Sequence, residues 1–164
     1  MDDLEAPYGE AYLDYMRRWS KCYLQRIRSC VHTIEQIRSE IAELDESMVA
    51  LRAYDPAADR VAGVAGDDAT VNRIARYEEL RAEFSLELDS NLQAQADAHR
   101  ALRHVRQPWR MILTYRSLET LKWKQIAKQT GFSEDYCKHS LHDNGRVERF
   151  PFIPHEYDGF PAAS

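Results

Sequence analysis

Residues Trp123–His142 read WKQIAKQTGFSEDYCKHSLH, and the rest of the chain is best understood from this stretch outward. Ala127 stands four residues before Gly131. Phe132 and Ser133 follow, and Cys137 and Leu141 then recur four apart. This is the layout of two short helices joined by a tight turn, a helix-turn-helix. The small Ala127 permits close helix approach, Gly131 makes the turn, and Phe132 is expected to plug the gap beneath it. Ser133 is expected to cap the second helix, whose opening Glu134 and Asp135 suit the positive end of the helix dipole. The pattern predicts a buried face of Ile112, Leu118, Trp123, Ile126, Ala127, Phe132, Cys137 and Leu141.

Upstream, residues 107–118 supply the preceding helix of a three-helix unit. Pro108 fits its first turn, and Trp109, Ile112, Leu113, Tyr115 and Leu118 form its apolar stripe. Downstream, Asn144-Gly145 is expected to end the second helix, with Gly145 left-handed at the position after the cap. The domain so defined is 107–146. The tail, 147–164, carries three prolines and several aromatics without a period, which suits either an extended strap or disorder.

Further upstream the pattern changes to two long amphipathic stripes. The first runs Tyr12, Met16, Trp19, Tyr23, Ile27, Cys30, Ile34, Ile37, Ile41, Leu44, Met48, Leu51, in steps of threes and fours. No Gly or Pro interrupts it, and a helix of that length spans on the order of 60 Å. Its narrow seam is like that of a coiled coil and needs a partner. Residues 53–68 hold Pro56, Gly63 and Gly66 and read as a loop, after which Asp67 or Asp68 can cap the next helix. The second stripe is Val71, Ile74, Tyr77, Leu80, Phe84, Leu88, Leu92, Ala98, Leu102, Val105. Its Ala-rich part, 93–101, permits close approach or marks a looser end. Two long helices joined by a modest loop predict an antiparallel hairpin over 11–106, behind a flexible leader at 1–10. The expected fold is all-α, a long coiled-coil-like helical hairpin followed by a C-terminal three-helix helix-turn-helix domain.

At 164 residues the chain suits one domain, or a small domain with a long helical element. No run of about 18 apolar residues is present, so no membrane span is expected. The N-terminus MDDLEAPYGEAY is acidic and lacks an apolar core, which argues against a signal peptide and for the cytoplasm. Cys22, Cys30 and Cys137 are odd in number and form no CxxC pair, as expected of reduced, buried thiols. The net charge of −5 conceals an asymmetry. Residues 1–105 hold 13 Lys/Arg against 20 Asp/Glu, whereas 106–150 hold 9 against 5 and 151–164 carry −2. The basic part is the part with the helix-turn-helix pattern, and a nucleic-acid footprint needs only local charge.

On the exposed face of the second helix the sequence places Glu134, Asp135, Tyr136, Lys138, His139 and His142. In a major groove, Lys138 could reach guanine or phosphate, His139 could donate to an acceptor, and Glu134 or Asp135 could accept from a cytosine amine. Arg110, Arg116, Lys122, Lys124 and Lys128 suit phosphates, although each alone is an ordinary surface charge. The spacing Cys137-x-His139-x-x-His142 gives no metal site, because Cys137 points to the core and no fourth ligand is near. No cofactor is expected. Gly63-Val-Ala-Gly66 lacks the Lys and helix of a phosphate loop, no nucleophile–base order is suggestive, and Glu40, Glu43, Asp45 and Glu46 fit a solvated helix face. An enzyme is not expected.

The segment YRSLETLKWKQIAKQTGFSEDYCKHSLH also resembles the fourth region of bacterial sigma factors, in which a Leu-aromatic-x-x-Ile-Ala pattern precedes Leu-Gly-hydrophobic-Ser and then Val-x-x-x-Leu. It is similar, more closely, to phage and prophage regulators of the RinA/ArpU type, in which a helical hairpin precedes such a domain. The resemblance covers roughly residues 112–143, with the hairpin similar only in architecture. It departs at Lys122 (where a Ser cap is common), Thr130 (often Leu) and Cys137 (Val). It implies transcriptional control of phage or mobile-element genes, with double-stranded DNA as partner and RNA polymerase as a further one. The hairpin would then serve a homo-oligomer, a dimer being favoured, or a contact to the transcription machinery. Two other readings compete. One is a phage small-terminase-like packaging component, whose DNA-binding domain usually comes first. The other is an interaction module that docks on protein and never touches DNA.

Overall fold

The computed structural model describes residues 10–53, 66–146 and 150, and among these there are five helices and no strand. They are α1 (Glu10–Ala53), α2 (Gly66–Leu102), α3 (Trp109–Ser117), α4 (Trp123–Thr130) and α5 (Tyr136–Asp143). The expected loop 53–68 lies mostly outside the described residues, as do the expected leader 1–10 apart from Glu10, which opens α1, and the tail apart from Phe150. Among the described residues no helix is long and apolar enough to cross a membrane. Because α2 already begins at Gly66, Asp67 and Asp68 lie in its first turn rather than ahead of it. α2 stops at Leu102, short of Val105. There the backbone tightens into three successive i→i+3 bonds, from the N–H groups of Arg103, His104 and Val105 to the carbonyls of Arg100, Ala101 and Leu102.

The chain forms two compact units, one of residues 1–31 with 93–164 and one of residues 32–92. In the 32–92 unit, Ile34, Ile37 and Met48 are buried, while Ile41, Leu44, Leu51, Ile74, Tyr77, Phe84 and Leu88 are half-buried. The expected seam is looser here than its spacing suggests, since Val71 and Leu80 are 60% and 38% exposed. Arg52 pairs with Glu78 at 2.7 Å and Asp45 with Arg81 at 2.6 Å. The earlier residue of α1 meets the later residue of α2, so the two helical segments run antiparallel.

In the other unit α1 buries a wider stripe: Met16, Ser20, Tyr23, Leu24, Ile27 and Val31. Leu24 and Val31 lie off the expected seam, and a third layer covers Leu24. Tyr23, Leu24 and Ile27 pack with Ala98, Ala101, Leu102, Val105, Leu113, Leu118 and Phe150. Ala98 and Ala101 have no exposed surface, so the Ala-rich end of α2 is a close approach and not a loose end. Phe150 is fully buried, with its ring stacked 5.7 Å from Tyr23 and 6.2 Å from Trp19. The tail is therefore anchored at that residue. Burial of the Tyr23 phenol, and then the nearby Asp97 carboxylate, push its pKa up to about 12.

A second cluster joins α3, α4 and α5 through Ile112, Ile126, Cys137 and Leu141, flanked by Trp109, Tyr115 and Trp123. Gly145 is not left-handed as expected. The helical backbone runs on through it, with Asn144 at φ −65° and ψ −47°. What makes glycine fit there is space: a Cβ would lie 3.1 Å from Trp109 Cβ and 3.3 Å from Trp109 Cδ1, so the indole would have to give by a few tenths of an ångström. Of the three cysteines only Cys137 is buried; Cys30 is half-buried and Cys22 exposed, contrary to the expectation of three buried thiols.

Candidate nucleic-acid interface

α3 closes with the N–H groups of Leu118 and Glu119 both donating to the Thr114 carbonyl, at 2.9 and 3.0 Å. Thr120 then turns the chain at φ +53°, and Leu121 N–H returns to the Tyr115 carbonyl. α4 starts at Trp123 without a capping oxygen from Lys122, as the sequence predicts. Gln125 compensates from inside the helix, its Oε1 accepting from Lys122 N–H at 2.8 Å. At the other end Gly131 adopts φ +76°, the left-handed conformation expected of the turn, and its N–H donates to Ala127 O. Thr130 closes this turn: its hydroxyl donates to Ile126 O at 2.9 Å and accepts from Phe132 N–H at 3.3 Å. Ser133 caps the next helix, its Oγ accepting from Tyr136 N–H at 3.2 Å.

Two residues of this stretch depart from the expected faces. Phe132 does not plug the core: it is 40% exposed, its ring set edge-on against Tyr136 at 5.3 Å. The second departure follows from the winding of α5, which is a π-helix over Tyr136–Asp143. In this wider winding the residues four and five after Cys137 both flank its direction, so Leu141 and His142 are buried together. His142, expected on the exposed reading face, is only 9% exposed, with its ring edge-on to Trp123 at 5.0 Å. Burial first, and then the charge of Arg146, press the pKa of His142 down to about 4, with Asp143 partly opposing. The imidazole is therefore neutral near pH 7.

The remaining five expected base-reading residues, Glu134, Asp135, Tyr136, Lys138 and His139, are exposed. His139 Nδ1 lies 3.2 Å from Asp143 Oδ2. Of the expected phosphate contacts, Lys122, Lys124 and Lys128 are exposed and Arg110 and Arg116 are half-buried. Arg110 donates to Arg103 O at 3.2 Å and so steadies the α2–α3 connection. Arg116 lies over the Trp123 ring at 4.6 Å and donates to Leu121 O at 3.0 Å. Burial and the neighbouring charge of Arg28 both lower its pKa.

The sequence pattern did not reveal a cavity of about 310 Å³ whose walls include Lys21 and Arg28 of α1, Arg116, Lys138, Asp143 and Arg146. Lys21 and Arg28 are seven residues apart, two turns of one helix face, and belong to a run of cations at 17, 18, 21, 26 and 28. That local density, inside a half of the chain that is acidic on average, was the available signal. No family model, curated protein or solved structure matches this chain.

Proposed function

We propose that α3–α5 form a DNA-binding helix-turn-helix, with α4 as the supporting helix and α5 as the helix that enters the major groove. The observation carrying this reading is the Thr130–Tyr136 turn: left-handed Gly131 and a capping Ser133 present the start of α5 to solvent. Glu134, Asp135, Tyr136, Lys138 and His139 would face base edges, and the exposed Phe132 suits contact with a thymine methyl. Lys122, Lys124 and Lys128 are free to lie along the phosphates. His142 is left out of the reading set because it is buried.

The likeness of residues 112–143 to phage regulators supports a role in transcriptional control of phage or mobile-element genes, with no catalysis by the chain itself. In the 32–92 unit the two helical segments run antiparallel. Val49, Val71 and Leu86, 65%, 60% and 72% exposed, give this unit apolar surface for a second copy or for the transcription machinery. Selection of binding sites from random duplexes tests the assignment. The Lys138→Ala/His139→Ala protein should lose the preference of the parent, and an unchanged preference would sink the role of α5.

A second reading is favoured by one observation. The exposed Phe132–Tyr136 pair beside Glu134 and Asp135 also suits a protein partner. Duplex affinity that falls steeply with salt, as counterion release requires, speaks for DNA; no duplex binding at low salt speaks for the protein partner.

A further inference from the structure

The cavity bounded by α1, α3 and the end of α5 holds five cationic side chains, Lys21, Arg28, Arg116, Lys138 and Arg146, against one carboxylate, Asp143. His142 also lines it and, being neutral near pH 7, adds no charge. Asp143 is already engaged, with Oδ1 3.2 Å from the Arg146 guanidinium and 3.4 Å from His142 Nδ1. One carboxylate shared in this way leaves most of the positive charge uncompensated.

Two of the arginines show where the deficit lies. Arg28 Nε and Arg146 Nε are both shielded from solvent and have no hydrogen-bond partner among the described residues. A buried donor left unpaired is costly, and more so on a charged group. Arg28 also raises the electrostatic cost of a charged Arg116 across the same space. Like charges gathered around a concave space are what an anionic ligand relieves.

From this geometry we infer that the cavity is a binding site for a small, multiply charged phosphate compound, a pyrophosphate or a phosphate ester with more than one phosphate. The volume sits at the lower end of the range of small-molecule sites, roughly 300–1,000 Å³, and is larger than one phosphate requires. Arginine forks match phosphate oxygens two at a time, whereas lysines at the rim act as point charges. Arg28 and Arg146 would grip one phosphate from the inner wall while Lys21 and Lys138, both exposed, close over the next. Trp123 is held between Arg116 and His142 and serves as a rigid wall. The phosphates of a duplex lie on a convex ridge and do not reach the inner arginines, so a free small molecule is the source that fits. The inference does not rest on the DNA reading of α5, although Lys138 lines the cavity and also belongs to the proposed reading face.

Calorimetric titration of the full chain with sodium pyrophosphate at low salt tests it, with sodium sulfate as the comparison. One saturable pyrophosphate site per chain is expected, clearly tighter than sulfate. Arg28→Gln and Arg146→Gln should each weaken it by about tenfold or more, the loss of a charge-assisted hydrogen bond. Lys21→Gln, at an exposed rim position that does not hold the fold, should weaken it by a smaller but measurable factor. Arg38→Gln, exposed in the 32–92 unit, should leave it unchanged. No saturable binding at millimolar pyrophosphate, sulfate binding as tightly, or equal affinity in Lys21→Gln and the parent would each overturn the assignment. So would a loss of random-duplex affinity in Lys21→Gln matching its loss for pyrophosphate, since the cavity would then belong to a DNA track.

Discussion

The same two helices behave differently in the two units of this chain. Between residues 16 and 31, α1 buries Met16, Ser20, Tyr23, Leu24, Ile27 and Val31, a stripe wide enough for two neighbours. Between residues 34 and 48 it buries Ile34, Ile37 and Met48 on a narrower line. The apolar spacing barely changes along the helix; what changes is the number of layers against it. In the first region α2, α3 and Phe150 all contribute to one cluster, and the Ser20 hydroxyl donates to the Arg146 carbonyl. In the second, the antiparallel segments meet through partly exposed side chains and exposed ion pairs. A helix stripe thus specifies that something packs on it, while the depth of burial depends on what the rest of the chain brings.

The largest expected effect contrasts the two regions directly. Phe150→Ala empties a fully buried site and should destabilise by about 3–5 kcal/mol in denaturant unfolding, whereas Ile37→Ala should cost nearer 2 kcal/mol because its surroundings collapse more easily. Equal losses would mean that the 32–92 unit is packed as tightly as the other. Smaller is the pH effect of His142. Its folded pKa of about 4 lies below the ordinary 6.5, so the unfolded chain binds the proton more readily. Its contribution is therefore complete above about pH 6.5 and is lost as the pH falls toward 4, by about 2 kcal/mol between pH 7 and 5. Unfolding at both pH values should show that slope in the parent and not in His142→Gln. A slope surviving in the variant would assign it to other groups. The smallest effect belongs to the exposed pair of the 32–92 unit. The Arg81 hydrogen bond holds the Asp45 carboxyl below its ordinary pKa, yet both groups are fully solvated. Asp45→Asn should leave the melting temperature within error at moderate salt, as exposed ion pairs do. A clear drop would show that this region relies on charge more than its burial suggests.

The left-handed turn at Gly131, the Ser133 cap and the buried Ile112, Ile126, Cys137 and Leu141 were all legible in the residues, because each follows from a local rule of turn geometry, capping or helix period. The length and amphipathic character of α1 and α2 were legible for the same reason. The exposure of Phe132, the burial of His142 and the packing role of Gly145 were not. The burial of His142 depends on the π-winding of α5 and the packing at Gly145 on the approach of Trp109, and no local period encodes either. The basic cavity escaped for a related reason: its cations come from positions 21 and 28 and from 116, 138 and 146, residues that are neighbours only in space. The sequence by itself determined an all-helical chain with a sharp turn before a capped last helix, since propensity, periodicity and capping act within a few residues. The tertiary structure alone decided which face of that helix is free and where positive charge collects, since burial and electrostatics depend on distance through space.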